Sequence, residues 1–133
     1  MLLLLLLLLL HDVEEDIFQV RTADFHLLRV HAALAQGDTA WQALARLADL
    51  GAWVKLSGWY RLKAVAPYAE LHDAIRRVAG LMGDRLVWGS DWPHTAFAQD
   101  AMPAYESVWE PVVNALGVAR ANRVRTAGAE LYR

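Results

Sequence analysis

Apolar positions in this chain recur at two periods, and their alternation predicts helices and strands in turn. Residues 24–36 carry Phe25, Leu28, Ala32 and Ala35 at three- and four-residue spacing, the period of a helix. Gly37-Asp38-Thr39 breaks that pattern, with Asp38 or Thr39 placed to cap a second helix. This helix spans residues 40–50, striped by Trp41, Leu44 and Leu47 and stopped by Gly51. Residues 52–57 are short, apolar and β-prone through Trp53, Val54 and Leu56, and predict a strand. Gly58-Trp59-Tyr60-Arg61 follows as a loop. Pro67 is expected to open a helix reaching Met82, with Tyr68, Leu71, Ile75, Val78, Ala79 and Met82 buried and Arg76 and Arg77 facing water. Gly83-Asp84 ends it. Residues 85–89 predict a second strand, apolar enough to be buried on both faces. A polar loop covers residues 90–102. Pro103 starts a helix carrying Tyr105, Val108, Trp109, Val112 and Leu116, which Pro111 is expected to kink or split. Gly117 closes it, and a last helix is expected from Val118 to Tyr132.

Strands that alternate with helices of this length imply parallel βαβ units. Two strands do not make a stable parallel sheet alone, and a full (β/α)8 barrel takes roughly 250 residues. The chain has 133. The order therefore reads as α/β, the C-terminal part of a TIM barrel with about two strands and their flanking helices. Residues 1–38 are expected to be a leucine-rich leader and linker, and residues 39–133 the barrel part.

Composition narrows the function classes. A net charge of -2 supplies no broad field for nucleic acid or an acidic membrane. With no cysteine, disulfides, thiolate metal sites and thiol nucleophiles are excluded. Any metal would rest on His, Asp or Glu. The opening run of nine leucines is too short to span a bilayer, which takes about 20 apolar residues. No basic residue precedes the run, and acidic residues 12–16 follow it without a small-residue cleavage site, so it reads as a low-complexity start and not as a secretory signal. A cytoplasmic location is expected.

Chemistry concentrates after the two predicted strands. Asp91 follows the apolar run Leu86-Val87-Trp88 after Gly89-Ser90. A carboxylate there can take a proton from water or bind a metal; otherwise it caps the loop through its own backbone. His94, three residues on, can orient substrate or pass a proton, or it is a loop histidine bonded to a backbone carbonyl. Arg61, beside Tyr60, can grip a carboxylate with two bonds, or it is a solvated surface group. Ser57 lacks the context of a nucleophile elbow. His11, His26, His31 and His72 form no ligand set, and Trp41, Trp53, Trp88 and Trp109 read most simply as core.

The segments Val54-Lys55-Leu56-Ser57-Gly58-Trp59-Tyr60-Arg61 and Leu86-Val87-Trp88-Gly89-Ser90-Asp91-Trp92-Pro93-His94, with the closing Ala129-Glu130-Leu131-Tyr132, resemble the amidohydrolase-related family of TIM-barrel hydrolases. The nearest branch is that of pyrone-dicarboxylate and related lactone hydrolases. The resemblance implies that Asp91 ends the eighth strand as the general base, and that Arg61 holds a substrate carboxylate. It places Tyr60 and His94 beside the substrate. It implies hydrolysis of a lactone or similar ester or amide carbonyl, with a carboxylated lactone as the small-molecule partner. The cofactor is none, as in the lactonase branch, or a divalent metal such as zinc, with Asp91 among its ligands. Oligomerisation is left open.

The departures carry expectations as well. The first-strand His-x-His pair and the middle-strand histidines of the family are not in this sequence. Residues 20–37 do not match the strand and proline-rich loop the family has before Trp41, and Thr126-Ala127-Gly128 stands where an Asn-Pro turn is usual. A truncated or frame-disturbed product is expected. The alternative reading is a non-catalytic remnant or interaction fragment, whose open sheet edges invite association.

Overall fold

The structure is a computed structural model that describes residues 39–62, 64–90, 94 and 97–132, the side chains of residues 39, 40, 61 and 62 aside. Among them, five α-helices and two short strands run in the order α1 (Thr39–Asp49), β1 (Val54–Leu56), α2 (His72–Met82), β2 (Leu86–Trp88), α3 (Tyr105–Leu116), α4 (Val118–Thr126) and α5 (Gly128–Leu131). The predicted helix at 24–36 and the leucine run lie outside the described residues. Among the described residues, no helix is long and apolar enough to cross a membrane.

The strands pair in parallel, Val54 opposite Leu86, Lys55 opposite Val87 and Leu56 opposite Trp88. The βαβ reading is thus borne out for this sheet. Side chains alternate across a strand. Val54, Leu56 and Leu86 join the core with Trp59 of the following turn, so Lys55 and Val87 lie on the opposite face. The core face is covered by Ile75, Val78 and Met82 of α2, Val108 and Val112 of α3, and Ala121 and Val124 of α4. Each fully buried aliphatic side chain stabilises this layer by about 1.5–3 kcal/mol.

Helix ends are tied back by specific bonds. At the end of α1, Gly51 N–H donates to the Ala48 carbonyl and Ala52 N–H to that of Leu47, both at 3.0 Å. That pattern needs a left-handed residue at Gly51, whose φ is 81°, where a side chain would be strained. The Arg85 guanidinium donates to the Ala48 carbonyl at 2.6 Å, and Arg120 donates to those of Ala79 and Gly83 at the end of α2. Each arginine places a cation where the helix dipole is negative.

Four local expectations are corrected. The helix expected from Pro67 begins at His72: Tyr68 N–H closes a turn onto Val65, and Tyr68 is left-handed (φ 59°), which interrupts a right-handed helix. Pro111 does not split α3. It lacks the N–H that would meet the Ser107 carbonyl, yet Pro111, Val108 and Val112 are buried against the core, which offsets the lost bond. The last helix is broken at Ala127, where the Thr126 hydroxyl donates back to the Asn122 and Arg123 carbonyls and Gly128 weakens continuation. Arg77 does not simply face water: its guanidinium stacks over the Trp41 ring, 4.0 Å from the centroid.

Candidate functional site

Both strands end toward the same side of the sheet, and the segments that follow them meet. After β1 the chain forms a 3₁₀ turn, Trp59–Leu62, where a loop was expected. Trp59 points inward. It is fully buried and donates its indole N–H to the Val108 carbonyl at 2.8 Å, so it is core and not a site residue. Trp88, the last residue of β2, donates to the same carbonyl at 3.2 Å. Two indoles on one carbonyl pin α3 to the carboxyl ends of both strands, and the turn after β1 is fixed with them.

Tyr60 is the next residue along that turn. Its hydroxyl lies 3.4 Å from Nδ1 of His94, a long hydrogen bond in which either partner can donate, according to which ring nitrogen carries the proton. The two rings are edge-on at 5.9 Å. Phe97 closes the group, edge-on to Tyr60 at 4.6 Å and to His94 at 6.4 Å. His94 is buried, only 5% exposed, and adopts a left-handed backbone (φ 55°). Its carbonyl accepts the Phe97 N–H at 3.0 Å, which turns the chain and brings Phe97 onto the ring. An imidazole held this way, by a phenol and two aromatic edges, can hydrogen-bond a polar group or carry a proton in one orientation.

Of the four residues expected here, the structure brings two together, Tyr60 and His94. The backbone-carbonyl alternative for the His94 ring gives way to a side-chain partner. Arg61 falls within the same 3₁₀ turn, with its side chain outside the described part, and Asp91 lies outside the described residues. Phe97 was missed. Its signal in the sequence is an aromatic residue three positions after His94, one turn on. The neighbours of His94 are aromatic, and no group of three or more His, Asp or Glu side chains among the described residues could hold a metal ion. This part of the site therefore does not fit a divalent metal by itself.

The comparisons with known proteins agree with one another. The amidohydrolase family profile matches residues 24–110, beyond the two motif segments on both sides. A 4-sulfomuconolactone hydrolase from Rhizobium radiobacter is 34% identical over 74 residues, covering 54% of this chain and 25% of that protein. The enzyme of the same name from Hydrogenophaga intermedia is 30% identical over 92 residues, 66% of this chain and 30% of its own length. A D-galactarolactone isomerase from Agrobacterium fabrum is 36% identical over 61 residues, 44% and 21% respectively. The chain spans between about a fifth and a third of these relatives. No solved structure matches it. The family profile covers more than half of the chain, and the chain belongs to the amidohydrolase family.

Proposed function

We propose that this chain carries the C-terminal part of a lactone-hydrolase site in a (β/α)8 barrel, with Asp91 as general base. One observation supports this most: Tyr60 and His94, from the segments after two parallel strands, meet at the carboxyl end of the sheet, where barrels of this kind build their sites. The names of the three relatives all contain a lactone. In the proposed reaction the Asp91 carboxylate takes a proton from water as the oxygen attacks the lactone carbonyl. The ring C–O bond breaks, and the departing alkoxide takes the proton back from Asp91, leaving a hydroxy acid. His94, oriented by Tyr60, hydrogen-bonds the substrate, and Arg61 holds its carboxylate.

The test is ring opening of a carboxylated five-membered lactone by the purified chain, followed by proton release. Activity that falls by about a hundredfold or more in Asp91→Asn, with helical content unchanged, is the expected result. A second reading is a non-catalytic remnant or interaction fragment, and one observation favours it: among the described residues the sheet has two strands. A chain that opens no lactone, or an Asp91→Asn variant as active as the parent, overturns the first reading in favour of the second.

A further inference from the structure

Lys55 is a charged residue inside an otherwise apolar strand, and its position is specific. It lies opposite Val87, on the sheet face turned away from the core. Its side chain does not leave the sheet directly. It runs forward along β2 and crosses Gly89: a Cβ built on Gly89 would overlap Cε of Lys55, with Nζ at 3.4 Å and Cδ at 3.6 Å. Gly89 is the first residue past the paired strand, and its N–H donates to the Leu56 carbonyl. Its φ is not left-handed, so the backbone does not require glycine there, and a Cβ at that position would displace the lysine stem. The effect is to carry an ammonium about two residues, some 6–7 Å, along the strand to the end where the loops begin. Lys55 also makes an interaction within the chain.

A lysine on a sheet face ordinarily takes the shortest route to water. This one crosses a glycine at the carboxyl end of β2. We propose that Lys55 is a specificity-determining residue that binds the anionic substituent of the substrate, and that Gly89 keeps open the path its side chain takes. This rests on the lactone-hydrolase reading for the identity of the ligand. In a barrel, helices cover the outer face, so the face bearing Lys55, Val87 and Gly89 is the interior one. The ammonium then selects acidic lactones over neutral ones, and it adds to the charge supplied by Arg61 six residues on.

The chain has two lysines, Lys55 and Lys63. Reductive methylation with carbon-13 formaldehyde, which preserves the charge, therefore gives two lysine signals beside that of the terminal amine, and Lys55→Met identifies one of them. The probes are a five-membered lactone bearing a carboxymethyl group and the methyl ester of the same lactone. The acid is expected to shift the Lys55 signal saturably and the ester to leave it unmoved. Lys55→Met should weaken acid binding by about tenfold or more with ester binding within about twofold, and Lys55→Arg should restore most of the loss. Gly89→Ala, which pushes the stem aside while keeping the charge, should weaken acid binding in the parent and have no further effect in Lys55→Met. An unmoved Lys55 signal, no acid binding at millimolar concentration, or equal weakening of acid and ester in Lys55→Met overturns the proposal. A saturable Lys55 shift without ring opening upholds it and removes the hydrolase reading instead. Ring opening with a silent Lys55 does the reverse.

Discussion

Replacing Trp59 separates packing from hydrogen bonding at the joint between the sheet and α3. The side chain is fully buried, and its N–H meets the Val108 carbonyl at 2.8 Å. Trp59→Ala removes the largest fully buried side chain among the described residues and leaves a cavity, at a cost of about 3–5 kcal/mol. That is a large share of the 5–15 kcal/mol, roughly, that holds a domain together. Trp59→Phe keeps most of the apolar contact and loses one indole hydrogen bond, worth about 0.5–1.5 kcal/mol. The acceptor is not stranded, because Trp88 still reaches it at 3.2 Å. With the smaller ring included, the expected cost is about 1–2 kcal/mol. Trp59→Phe combined with Trp88→Phe removes both donors, and it should exceed the sum of the single changes by about 0.5 kcal/mol or more. Urea unfolding followed by far-ultraviolet circular dichroism measures this as a shift of midpoint at constant slope. The reasoning is refuted if Trp59→Phe matches the parent, or if Trp59→Ala costs less than about 1 kcal/mol, the scale of an ordinary surface change.

Two further outcomes follow from the turn before α2 and from the site. Burial, with a smaller contribution from the Glu70 charge, raises the Tyr68 phenol above its ordinary pKa. A raised folded value means the stabilisation is fully present below the unfolded pKa, near 10, and is lost as pH rises through the folded one. Stability should therefore fall more steeply above about pH 10 in the parent than in Tyr68→Phe, as read from urea midpoints across that range; parallel curves would contradict it. His94 has a left-handed backbone, which Asn tolerates and a β-branched residue does not, so His94→Val should cost about 1–2 kcal/mol more than His94→Asn. Equal thermal midpoints for the Asn and Val variants would count against that conformation.

Much of the architecture is legible in the apolar pattern. The stripe Trp41, Leu44 and Leu47 specifies α1, and Ile75, Val78, Ala79 and Met82 specify the buried face of α2, because periodic apolar residues have one low-energy way to leave water. Gly51 and Gly117 mark helix ends through their left-handed backbones. The two strands are legible as short apolar runs, and their parallel pairing follows from the helix between them. The start of α2 is less so. Pro67 is as good a first-turn residue as any in local terms, and the turn at Tyr68 that displaces the helix start is closed by neighbouring backbone.

The sequence by itself determined the order of the elements, the parallel sheet and the family. Those are local properties, carried by spacing and residue type. Only the tertiary structure decided that Trp59 belongs to the core while its neighbour Tyr60 meets His94, since the two differ by which side of one 3₁₀ turn they leave. It alone set Phe97 against His94, and it alone laid the Lys55 side chain across Gly89 of the neighbouring strand. Such contacts join residues tens of positions apart, and no periodicity along the chain encodes which side chain will lie across which backbone.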